Sequence, residues 1–268
     1  MSRDILQSAV RNRLLRNLPE QAFSLLAPDL EPVELPIGMV LELPDAPIEH
    51  IIYLESGIAA RMIVGRDGDM AESGHIGSEG MTGKPIVQGG TFATNKIQMQ
   101  FGGKGLRIAR DPFIEAMSRN DDLAVLMRKY VLACEVQVEH SLLAATTQMI
   151  NERLARWLLM YHDRAEGDEL QITHDLLASM LHVRRAGITS ATHVLEGLHA
   201  IRATRGSIKI VDRQALEEIA GRSYGIPEAV YERLIPNSFQ DRAHAYSVPD
   251  GLSADRQHAP LLAEGDSA

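Results

Sequence analysis

The stretch Ile172–Val211, ITHDLLASMLHVRRAGITSATHVLEGLHAIRATRGSIKIV, constrains this chain more than any other. Thr173 is a good N-cap, and Asp175 places negative charge in the first turn, where the helix dipole favours it. Leu176, Leu177, Met180 and Leu181 recur at helical spacing, so a short helix buries one face. His182-Val183 breaks it. Ile188, Ala191, Leu195 and Leu198 then form a second apolar stripe, and Arg185, Thr189, Ser190 and His193 lie on the opposite face. Ile201–Thr204 and Ser207–Val211 alternate like strands around Arg205-Gly206. Two short helices, the second polar and arginine-bearing outside, have the geometry that places a helix in a DNA major groove. The hairpin is a wing, with Arg202, Arg205 and Lys209 free for phosphates.

Two amphipathic helices and a hairpin also occur in folds that never touch DNA, so charge decides more. The whole chain carries net −9. Residues 1–146 are net −5, residues 147–213 net +1 and residues 214–268 net −5. Within 170–213 there are six basic side chains (Arg184, Arg185, Arg202, Arg205, Lys209, Arg213) against three acidic ones. The locally basic segment therefore coincides with the proposed reader.

Upstream, residues 5–27 look helical. From Val33 to Ile108 short β-type runs (Met39–Leu43, Ile51–Glu55, Ala59–Val64, Lys96–Phe101) are punctuated by glycine, which suggests an antiparallel barrel or jelly roll. Asp111-Pro112 opens a long helical stretch as N-cap and first helical residue. Leu123, Met127, Tyr130, Cys134, Val138, Ser141 and Ala145 recur along it every three or four residues. Such a seam pairs with a second copy or packs on its own barrel. The companion features favour the pairing, and the stripe is expected to be a dimer seam. Cys134 reads as a small apolar filler. Asn151–His162 is a further amphipathic helix. Asp212 caps a last helix through Ala220. Residues 223–268 read as a flexible acidic tail, with Tyr231, Leu234 and Phe239 as local docking residues.

One cysteine excludes an internal disulfide framework. No apolar run approaches the ~20 residues of a membrane span, and no signal peptide is visible, so a reducing cytoplasm is expected. The ten histidines show no ligand spacing with carboxylates, and neither G-x-S-x-G nor a P-loop is present. A barrel metalloenzyme would need two closely spaced histidines, whereas His75 stands alone between residues 51 and 139. No catalytic residue, metal ligand or cofactor is assigned, and the chain is not expected to be an enzyme.

The order of these parts resembles the Crp/Fnr regulators of bacterial transcription over about residues 20–222. The resemblance rests on Glu152–Leu159 (ERLARWLL), Ile172–Leu181 with Arg185, the wing end Gly206–Asp212 (GSIKIVD), Tyr53–Gly57 and the loop His75–Gly83. It implies an α+β fold: an N-terminal antiparallel β-barrel or jelly roll with a dimerisation helix over about 112–145 (residues 1–146), then a winged helix-turn-helix (147–222). It implies a homodimer binding double-stranded DNA through the helix at about 184–197, with RNA polymerase and a small effector as further partners. Thr173, Arg184, Arg185, Gly187, Thr189, Ser190, His193, Arg205 and Lys209 are the expected DNA contacts. Gly77, Glu79, Gly80 and Thr94 stand at the effector pocket.

The departures matter. A cyclic-nucleotide phosphate needs an arginine after the Gly-Glu loop, and Gly89–Asn95 supplies none, Thr94 being nearest. Cyclic AMP is therefore expected to bind weakly or not at all. The cysteine cluster of the oxygen-sensing branch is absent, and His75 reads as a loop histidine. In the reading helix Ala186 and Ser190 replace the usual glutamate and second arginine. Arg184 replaces a small N-cap, and His182 replaces the turn glycine. The alternative is a ligand-binding module that acts through protein partners with a degenerate reader.

Overall fold

The computed structural model describes residues 5–236. Two short helices, α1 (Arg13–Arg16) and α2 (Glu20–Leu26), precede seven strands: β1 (Glu31–Leu35), β2 (Val40–Glu42), β3 (His50–Leu54), β4 (Ile58–Val64), β5 (Met70–Ile76), β6 (Lys96–Phe101) and β7 (Gly103–Ala109). A one-turn helix, α3 (Lys84–Val87), sits between β5 and β6. The strands form two antiparallel sheets, ordered β1-β7-β3 and β2-β6-β4-β5. Leu35, Leu54, Ala59, Ile76, Ile97 and Met99 pack together as one core between them. The expected glycine-punctuated jelly roll is thus present. Gly57 shows why glycine is needed: at φ +80° any Cβ would come 2.6 Å from the Phe101 carbonyl oxygen.

β4 is buried on both faces, as a central strand can be. Ala59 and Arg61 turn inward, whereas Ile58, Ala60 and Met62 join a second core that runs into the C-terminal half. Helices α4 (Arg110–Arg119), α5 (Asp121–Thr147) and α6 (Ile150–His162) follow. α4 begins before the expected Asp111 cap, at Arg110. α5 starts where the Asn120 side chain accepts from Leu123 N–H at 2.9 Å and Asp121 and Asp122 meet the helix dipole. Its 27 residues span about 40 Å.

α5 buries the first part of the expected stripe, but within its own subunit. Leu123, Met127, Tyr130 and Cys134 lie inside the subunit, with Tyr53, Met81 and Phe113. Tyr130 locks this orientation: its hydroxyl donates to the Met81 carbonyl at 2.8 Å and accepts from Met81 N–H at 3.2 Å. Val138 and Ser141 are half-buried, and the Ser141 hydroxyl donates to the Gln137 carbonyl. Leu123, Met127, Tyr130 and Cys134 of the expected seam are therefore this subunit's own core contact. The apolar residues that α5 leaves in solvent are Val125, Leu132, Leu142 and Leu143, exposed by 42, 47, 65 and 50%.

The C-terminal half comprises β8 (Glu169–Leu170), α7 (His174–Met180), α8 (Arg185–Gly197), β9 (Ile201–Thr204), β10 (Ser207–Ile210) and α9 (Arg213–Ala220). β8-β10-β9 is a small antiparallel sheet. Asp212 caps α9 by accepting from Ala215 N–H at 3.0 Å. The tail expected from residue 223 does not begin as flexible chain. Ile226–Leu234 form α10, which returns to α5 and packs Tyr231 and Ile235 into the barrel-side core. Pro227 in its first turn and the Glu228 carboxylate accepting from Gly225 N–H at 2.9 Å start this helix. Phe239 and the rest of that tail lie outside the described residues.

Candidate nucleic-acid interface

α7 begins at Thr173, whose hydroxyl accepts from Leu176 N–H at 3.2 Å, and buries Leu177 and Met180. The turn that follows needs a left-handed residue, and His182 supplies it at φ 49°. Histidine tolerates this conformation better than branched side chains do. The Val183 N–H then reaches the Ala178 carbonyl at 3.0 Å and closes the turn. α8 starts at Arg184, which makes no side-chain cap, and buries Ile188, Ala191 and Leu195 against α6 and α7.

The opposite face of α8 meets solvent. Arg184, Arg185, Ser190 and His193 are exposed there. Arg185 pairs with Asp175, and both side chains are more than 60% exposed. Such a pair contributes little, so a competing acceptor can take the guanidinium. Thr189 is half-buried, and its hydroxyl is engaged internally, 3.2 Å from both His174 Nδ1 and the Arg185 carbonyl. It supports the helix pair before any ligand arrives. At Gly187 a Cβ would meet nothing within 4 Å, so nothing in this chain requires glycine there.

The wing carries Arg205 at its turn, beside Gly206 at φ +80°, and exposes Arg202 and Lys209. Arg202 and Lys209 stand directly opposite each other across β9 and β10. Like charges in that register destabilise a hairpin, and an anion lying across both would relieve the repulsion.

Away from this exposed face, Arg213 joins three elements. It donates to Asp163 at 2.8 Å and to His162 Nδ1 at 3.0 Å, and Tyr224 donates to the same Asp163 at 2.8 Å. With Nδ1 accepting, His162 Nε2–H faces Asp168 at 3.0 Å.

Gly77, Glu79, Gly80 and Thr94, the expected effector residues, line none of three cavities found among the described residues. Glu79 is fully buried and paired with Arg164 at 2.7 Å, and Arg164 also donates to the Met160 carbonyl at 2.7 Å. Burial alone would lower the Arg164 pKa, but Glu79 and Asp163 outweigh it and hold the guanidinium charged. Gly80 lies against Tyr130, and the exposed Thr94 hydroxyl donates to Asn95 Oδ1.

The barrel interior holds a cation that the sequence reading passed over. Arg61 on β4 is buried, and its Nε and Nη2 lack hydrogen-bond partners. Against the cost of burial, Cys134, Tyr130 and Glu42 keep it charged. Burial pushes Glu42 up to about 6, despite the Gly83 N–H that donates to it at 2.5 Å. The alternation of β4 alone could have pointed to Arg61, since it shares the inward face with Ala59.

Residues 152–219 match the Crp-like helix-turn-helix domain. No curated protein sequence matches the chain. The fold is shared with FixK2 from Bradyrhizobium japonicum (TM-score 0.63, 14% identity, covering 72% of this chain and 98% of that one). It is shared with a CRP/FNR-family transcriptional regulator from Thermus thermophilus (TM-score 0.59, 18% identity, 71% and 98%). It is shared also with the c-di-GMP responsive global regulator CLP of Xanthomonas campestris (TM-score 0.58, 12% identity, 72% and 99%).

Proposed function

Taking a Crp-like helix-turn-helix domain on a Crp/Fnr fold as the premise, we propose that this chain is a homodimeric transcription regulator that binds a two-fold DNA operator through α8. One observation carries the reading: the exposed row Arg184, Arg185, Ser190 and His193 stands beside a wing that holds Arg202 against Lys209. Arg185 reads guanine, and Arg205 and Lys209 meet phosphates. Thr173 sits where a helix N-terminus approaches the backbone. The reader occupies about residues 147–222 and the sensor about 1–146.

The dimer forms through Val125, Leu132, Leu142 and Leu143, which α5 leaves exposed. Cyclic AMP is not the effector: Glu79 is already neutralised by Arg164, and Thr94 supplies no positive charge. RNA polymerase and a small effector are the further partners, and the protein acts in the cytoplasm without catalysing a reaction. No helix among the described residues is long and apolar enough to cross a membrane.

Selection of bound duplexes from a random library tests this reading. The expected product is a two-fold site with half-sites one helical turn apart, ~34 Å. An unenriched pool from a folded protein would favour a partner-binding module with a degenerate reader instead.

A further inference from the structure

A cavity of about 390 Å³ separates the barrel from the reader. Its walls come from β5, the end of α5, α6 and the turn after α7. Its volume lies in the range of small-molecule sites. Much of the lining is apolar: Ala144, Met160, Met180 and Leu181. Beside this lining lie buried polar groups that the protein leaves unmatched. Arg156 is 6% exposed; its Nε donates to the Ser223 carbonyl at 2.9 Å, whereas Nη2 has no partner. His75 is 5% exposed, and its Nδ1 has no partner. Its Nε2 lies against the Glu72 carboxylate, off the line of a hydrogen bond. Trp157 Nε1–H donates to the other Glu72 oxygen at 3.0 Å.

Buried polar atoms are normally satisfied, and each exception calls for a ligand, a water or a role. The charges set the sign of the ligand. Arg153 and Arg156 face one carboxylate, Glu72, which already engages Trp157 and His75. Burial lowers the His75 pKa, with Glu72 opposing, so the imidazole adds no fixed charge of its own. Glu228 on α10 also acts on Arg156, but burial raises its carboxyl towards the neutral form, so among the groups that line the cavity one guanidinium is in excess. The face of Trp157 stacks on Tyr161 at 3.7 Å, which leaves the indole rigid.

We propose that this cavity binds a small organic carboxylate, its anionic head on the Arg156 guanidinium and its apolar or aromatic body against Ala144, Met160 and Trp157. The site is distinct from the barrel interior around Arg61. Arg153 Nη2 donates to the Leu181 carbonyl at 2.5 Å, so α6 and the end of α7 move together as its wall. A bound carboxylate would hold the reader against β5. That consequence rests on the DNA-binding reading above; the existence of the site does not.

Trp157 is the chain's only tryptophan, so its emission reports on the cavity directly. The full chain, without DNA, is titrated with benzoate, phenylacetate and hexanoate to about 10 mM, above the Kd of weak specific sites. The expected result is a saturable change with at least one probe, weakened about tenfold or more in Arg156→Gln. Benzamide, which lacks the charge, should be correspondingly weaker. Because Arg156 also holds Ser223, Ala144→Leu is the second variant; it fills the cavity, leaves that bond in place and should abolish the response. No saturable change with any of the three acids, a response equal to that of benzamide, or one that both variants leave unaltered would overturn the proposal.

Discussion

Replacing Arg164 by methionine tests whether Glu79 is a structural anchor or an open effector group. Their side chains are only 1% and 4% exposed, at 2.7 Å. Removing the cation leaves a buried carboxylate with the Gly77 N–H, at 3.2 Å, as its remaining donor. Breaking a buried pair this way costs about 3–5 kcal/mol. For a chain of this size that lowers Tm by roughly 6–20 °C. The double variant Glu79→Leu with Arg164→Met should recover most of the loss, because neither charge is then stranded. The pH dependence adds a signed test. Without its cation, burial raises the Glu79 carboxyl in the folded state, and a raised carboxyl favours folding below its pKa. The deficit of Arg164→Met should therefore shrink as pH falls. Urea unfolding of the four proteins at several pH values measures all of this. A loss under about 1 kcal/mol, independent of pH, is what a solvated pair would give, and it would refute the anchor.

Three other outcomes follow from the geometry. Leu132→Asp should yield a folded monomer by sedimentation equilibrium, whereas Leu123→Asp should unfold the chain; the reverse pattern would return the seam to the face that α5 buries. Glu42, at about 6 against an ordinary 4.5, should cost the fold about 2 kcal/mol once ionised. Stability should then decline between those two pH values as pH rises, and Glu42→Gln should remove that decline; identical curves would contradict it. Tyr231→Phe removes the 2.7 Å bond to the buried Glu79 carbonyl and should cost about 1–3 kcal/mol. Hydrogen exchange of the α10 amides should accelerate with it, and unchanged exchange would mean that the bond does not hold the helix.

The parts written in local chemistry were legible. Thr173 and Asp212 cap the helices that their types predict, and Gly206 closes the wing. Lys96–Phe101 forms the strand expected from its pattern. What was not legible depends on distant partners. A stripe recurring every three or four residues fits both a subunit's own core and a dimer seam. Only the docking of Tyr130 on Met81 separates the two for α5. α10 was missed because its energy comes from Tyr231 and Ile235 entering a core formed far earlier in the chain. The cue was present in Gly225-Ile-Pro-Glu, a helix start inside an acidic segment. Glu79 matched a ligand loop by position, but its partner Arg164 lies 85 residues away, and spacing cannot reveal that pair.

Whether α8 reads DNA is measured by fluorescence anisotropy. The full chain and Arg185→Ala are titrated onto duplexes tiled across the chain's own upstream region, at two salt concentrations. Binding to one tile should be tight and weakened by salt, with Arg185→Ala losing about 1–3 kcal/mol there. Equal weak binding to every tile by both proteins would contradict a DNA-reading α8.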